Sequence, residues 1–167
     1  FEHGLALSAD GDANAAVEAL RRAAELKPDW PDAWRALGDQ LIANGEDAAA
    51  DGAYAQQIKA STRDPRLLAP AVALCEGRIA VAEAMLREYL KQHPTDVAAI
   101  RMLAEVAARL GRFVDAEHLL QRCLELAPGF HAARHNLATV LHRQNKAQAA
   151  LGEVEARLQD ERRHVVR

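Results

Sequence analysis

Three histidines, His131, His135 and His142, crowd the stretch "HAARHNLATVLH". His131 and His135 stand four apart, the spacing at which two imidazoles on one helical face can share a zinc ion. A zinc-protease helix also needs a Glu beside its first His. Here the intervening residues are Ala-Ala-Arg, with no Cys or carboxylate cluster next to them. No metal or cofactor is therefore expected. His93 directly precedes Pro94 and suits a helix end, where a cation offsets the dipole. Cys75 and Cys123 have neither metal-ligand spacing nor a disulfide framework. Both sit among apolar neighbours on helical stretches, as buried thiols of a reducing compartment do. There is no Ser-His-Asp arrangement, no phosphate-cradling loop and no carboxylate pair. No catalytic residue is assigned, and the chain is expected not to be an enzyme in itself.

Chemistry of another kind is left, namely recognition by charge. Residues 1–62 carry a net −6, residues 63–128 are neutral and residues 129–167 carry +3. The chain is acidic at its start and basic at its end, a pattern that serves as a partner's footprint or as solvated surface. The overall −3 singles out neither nucleic acid nor membrane, and neither is expected as a partner. Apolar residues make up 50% of the chain and aromatic ones only 4%. Small and straight-chain residues favour helices over strands. No run reaches the roughly 18 apolar residues of a membrane span, and "FEHGLALSADGD" has no basic leader pattern. The expectation is a cytoplasmic chain.

The elements that carry these residues repeat. Gly11, Gly45, Gly77 and Gly111 are spaced 34, 32 and 34 apart, and Asn145 follows after another 34. Asn is the usual substitute for Gly in a left-handed turn. Ala16, Ala50, Ala82, Ala116 and Ala150 keep the same spacing. Pro28, Pro94 and Pro128 close three of the repeats. Helical periodicity runs before each turn residue, as in "DAWRALGDQLIANG", and after it, as in "DAEHLLQRCLELAP". The pattern predicts antiparallel helix pairs: Gly or Asn in the turn, Ala where the two helices approach closely, Pro as the stop. The expected repeats cover about 1–28, 29–62, 63–94, 95–128 and 129–162 of one array, with a tail at 163–167.

These markers resemble the tetratricopeptide repeat. Trp34, Leu37, Gly38, Leu41, Ala50 and Tyr54 match its pattern in the second repeat. Gly4, Leu7, Ala16, Leu20, Ala23 and Pro28 match in the first. Leu103, Ala116, Leu120 and Pro128 match in the fourth, and Leu137, Leu141 and Ala150 in the fifth. The resemblance implies an all-α fold, an α-solenoid that coils as a right-handed superhelix of about five helix pairs. The first pair is truncated, which suggests excision from a longer polypeptide. The third departs from the pattern, because Pro70 stands where the family has Gly. A late helix start or a kink is expected there, disturbing residues 60–72.

The family's known use is protein–protein interaction, with the first helix of each pair lining a concave groove. By that resemblance Arg35 and Asp39 line it in the second repeat, and Arg101, Glu105 and Arg109 in the fourth. His135, Thr139, His142 and Arg143 line it in the fifth, and Leu67 and Ala71 are the third repeat's contribution. The implied partner is a protein or peptide, an acidic segment toward the C-terminal half. Residues 86–151 also resemble the repeat region of bacterial proteins that join these repeats to a sulfotransferase domain. No donor-binding loop of that enzyme occurs here, so the resemblance implies at most a substrate-presenting arm for a catalytic domain outside this chain. A third reading is an oligomerisation module that self-associates through poorly capped array ends.

Overall fold

The computed structural model describes residues 1–145 and Gly152. Among the described residues the fold is all-α, with no strand. It divides into two compact units, Phe1–Arg78 and Ile79–Arg167.

In the N-terminal unit, α1 (Glu2–Ala9) pairs with α2 (Ala13–Leu26), and α3 (Pro31–Ala43) with α4 (Asp47–Ser61). A 3₁₀ turn, Pro65–Leu67, leads into a short α5 (Leu68–Cys75). The core is built from Val17, Leu20, Leu37, Leu41, Ala50, Ala53 and Tyr54. In the C-terminal unit, α6 (Ile79–Gln92) packs on α7 (Val97–Arg109), α7 on α8 (Phe113–Leu126), and α8 on α9 (His131–Arg143). Ile100, Ala104, Ala116, Leu120, Cys123, Leu137 and Leu141 form much of its core.

The phased markers do the work their chemistry predicts. Gly11, Gly45, Gly77 and Gly111 take φ of 81°, 78°, 71° and 71°, and Asn145 takes 58°. After each of these glycines the next amide donates to the carbonyl five residues back: Asp12 to Leu7 at 3.0 Å, and Glu46 to Leu41, Arg78 to Ala73 and Arg112 to Ala107 at 2.8 Å each. This closure satisfies carbonyls that the helix end leaves unpaired. Ala16, Ala50, Ala82 and Ala116 are all fully buried. Ala150 lies outside the described residues. A methyl group at Gly111 would meet no atom within 4 Å, so its cost is purely conformational. Gly111→Ala is expected to lose about 1–2 kcal/mol of stability, and Asn145→Gly to gain somewhat less than about 1 kcal/mol. Urea denaturation midpoints at unchanged slope check both.

Helix starts show a second periodicity. The N-cap places are Trp30, Asp64, Asp96 and Phe130. Asp96 accepts from the amides of Ala98 and Ala99 at 3.0 Å, and Asp64 from Arg66 at 2.9 Å. Trp30 and Phe130 make no such bond and stack instead. The Trp30 ring lies 4.4 Å from that of Phe1, and Phe130 lies beneath Arg101.

Pro70 behaves as its chemistry requires. Extended backbone at Thr62 and Asp64 and the 3₁₀ turn displace the start of the helix to Leu68. Pro70 then sits in the first turn, where its missing N–H has no intrahelical acceptor to lose. The cost is a helix of only 8 residues.

Candidate functional site

The residues expected to line a binding face fall in both units. In the N-terminal unit Arg35 is half-buried on α3 and pairs with Asp32 at 3.3 Å. Asp39, one turn further along, accepts a 2.9 Å hydrogen bond from the Tyr54 hydroxyl of α4. Part of the carboxylate's capacity therefore serves the helix pair. Leu67 and Ala71 are fully buried core residues.

In the C-terminal unit the two first helices differ sharply. Every residue of α7 from Ala99 to Ala108 is buried. Arg101 is 2% exposed and Glu105 7%. The Arg101 guanidinium lies 5.5 Å from the Phe130 ring centroid, a cation–π arrangement linking α7 to the start of α9. Burial lowers its pKa to about 10, with Glu105 and Cys123 opposing the fall. Glu105 accepts from Arg109 Nε at 3.1 Å, in a pair that is itself nearly buried. These three side chains run i, i+4, i+8 along one face, as expected, but the first two lie in the interior of the described structure.

On α9 the corresponding places are less covered. His135, Thr139 and Arg143 are half-buried, and His142 is exposed. The Thr139 hydroxyl donates to the His135 carbonyl at 3.2 Å, the usual bond of a mid-helix threonine. No group of three His, Cys, Asp or Glu side chains suited to a metal occurs among the described residues.

The two thiols also differ. Cys75 is half-buried and Cys123 fully buried, its Sγ donating to the Val97 carbonyl at 3.2 Å. Burial raises the Cys123 pKa from 9.0 to about 11, with Arg101 partly opposing. The unfolded chain thus releases this proton first, and stability is lost as pH rises from 9 to 11. By pH 10 the loss attributable to Cys123 is about 1 kcal/mol. Thermal melts at pH 8.5 and 10 are expected to show it as a difference that Cys123→Ala removes.

The family profile described as "Tetratricopeptide repeat" matches residues 1–65 and 101–164, and a second of that description matches residues 73–122. The chain belongs to the tetratricopeptide repeat family. Among solved structures, that of MamA superposes with a TM-score of 0.57 at 15% identity, covering 98% of this chain and 97% of that one. MamA 41-end from Desulfovibrio magneticus RS-1 gives 0.56 at 16%, covering 96% and 92%. YrrB, described as a TPR protein with an unusual peptide-binding site, gives 0.53 at 16%, covering 93% and 81%. At these identities the likeness shows the fold. No curated protein is similar enough in sequence to count as a relative.

The repeat register also explains a residue that sequence reasoning passed over. In the second repeat Trp34 Nε1 donates to the Pro28 carbonyl at 2.9 Å. Arg134 holds the same place in the fifth, and its Nη2 donates to the Pro128 carbonyl at 2.7 Å. An arginine has replaced the family's tryptophan and kept its bond to the preceding repeat. Counting places from Trp34 finds it without coordinates.

Proposed function

We propose that the chain is a protein-interaction module that receives an acidic polypeptide segment on the face of α9 formed by His135, Thr139, His142 and Arg143. The observation that carries this reading is the contrast between the two first helices of the C-terminal unit. Arg101, Glu105 and Ala108 on α7 are buried, whereas at the equivalent places of α9 His142 is exposed and His135 and Thr139 are half-buried. A guanidinium offers several donors in a fixed plane, which suits a carboxylate. Residues 129–167 carry a net +3, which favours approach of an acidic chain. Peptide binding in YrrB, a neighbour in fold, supports the class of partner.

The resemblance of residues 86–151 to sulfotransferase-linked repeats supports a narrower version. In it the bound segment is the acceptor presented to a catalytic domain, and such an acceptor competes with acidic peptides for α9. Self-association is supported separately by Leu26, which is 78% exposed, and light scattering across concentration tests it. The main reading is tested by calorimetric titration with acidic peptides. His142→Glu and Arg143→Glu together should remove a saturable part of the heat of binding while the melting curve stays cooperative. Undiminished binding would remove α9 from the site.

A further inference from the structure

A second, chemically different site lies elsewhere in the C-terminal unit. A pocket of about 260 Å³ is lined by Arg87 of α6, Leu103 and Ala107 of α7, and Arg112, Asp115, His118 and Leu119 at the start of α8. Leu103 and Ala107 stand two residues beyond Arg101 and Glu105, about 200° around α7 from the face considered above. The pocket is therefore independent of the α9 reading.

Its charged wall is held in place. Glu83 accepts from Arg87 Nη2 and from Arg112 Nη2, each at 2.8 Å, and from Arg87 Nε at 3.0 Å. One carboxylate so fixes two guanidiniums from different repeats. Both arginines keep N–H donors beyond those given to Glu83, and among the described residues no acceptor reaches the buried Arg112 Nε. Hydrogen bonds from the two arginines hold the Glu83 carboxyl below its ordinary pKa, Arg112 contributing most and then Arg87. The bridge stays ionised at neutral pH. Leu103, Ala107 and Leu119 supply its apolar lining.

We infer that this pocket binds a carboxylate on a short apolar stem. The carboxylate meets Arg87, Arg112 and His118, and its methylenes lie on Leu103, Ala107 and Leu119. Size and charge limit the ligand. The volume of about 260 Å³ suits a small ligand better than a drug-sized one. Asp115 in the wall disfavours a doubly charged phosphate. A glutamate side chain of a partner polypeptide and a free small carboxylic acid share the required chemistry.

The test is methyl-resolved NMR on the full chain. Three probes are titrated: a capped peptide with a central Glu, the same peptide with Gln, and free glutarate. Inorganic phosphate is a fourth. The Glu peptide or glutarate is expected to shift the Leu103 and Leu119 methyls, the Gln peptide not, and phosphate far less. Shifts by the peptide alone assign the carboxylate to a polypeptide, and shifts by glutarate alone to a free acid. Arg87→Gln, at a side chain 58% exposed and away from the core, should weaken binding about tenfold or more. His118→Gln provides a second variant should the first alter the melt. Equal shifts with Glu and Gln peptides, no shift with either acid, or undiminished affinity in both variants would overturn the assignment.

Discussion

Arg101→Glu should cost more than about 4 kcal/mol, whereas Arg101→Met should leave stability within about 1 kcal/mol of the parent. The difference follows from what surrounds this side chain. A guanidinium drawn down to about 10 by burial has given up a few kcal/mol (roughly 1.4 for each pH unit) of its preference for the charged state. The interaction with Phe130 returns about 2 kcal/mol when desolvated, and attraction to Glu105 adds to that. The opposing contributions nearly cancel, so a flexible apolar chain of similar length loses little. Glutamate removes the cation and sets a second buried carboxylate one turn from Glu105, over the negative face of an aromatic ring. Chemical denaturation of both variants measures the difference. A mild Arg101→Glu phenotype would show that the side chain is solvated after all. The result also bears on function, because a binding defect in Arg101→Glu would report unfolding of α7 and not loss of a contact to ligand.

Gly38→Val is expected to cost about 3 kcal/mol or more, for a reason opposite to that at the turn glycines. Gly38 lies within α3, where any residue has the right backbone, and Ala alone would raise helix propensity. Its Cβ would stand 2.5 Å from Tyr54 Cε1 and 2.7 Å from Cδ1. Tyr54 is 6% exposed in a packed core and is tied to Asp39 through its hydroxyl. Moving the ring forfeits packing and that hydrogen bond together. Removing the ring should reverse the sign for a smaller substitution. In a Tyr54→Ala background, Gly38→Ala should stabilise by about 0.5–1 kcal/mol. Additive effects in the double-mutant cycle would contradict the close approach.

The contrast between these glycines also marks how far the sequence speaks. Turn positions are legible because a left-handed φ admits few residue types, and Asn145 adopts the turn that spacing alone assigned to it. Ala16 and its equivalents are legible because closely approaching helices admit only a small side chain. Pro70 announces a late helix start through its missing amide. Burial of the binding-face residues was not legible from repeat register. Places five and nine tell which side of a helix a residue occupies, and not whether that side is covered. A signal was present in "VAAIRMLAEVAAR", which is apolar nearly all round, as an enclosed helix is. The carboxylate pocket gives no linear signature, since Arg87, Leu103 and His118 meet only when three helices pack.

Chemical-shift mapping of the isotopically labelled chain with an acidic peptide tests the central functional reading most directly. Saturable changes are expected along α9, centred on His135, Thr139, His142 and Arg143, and they weaken as salt is raised. Saturable changes that leave α9 untouched and fall within Phe1–Arg78, or no change at any residue, would contradict it.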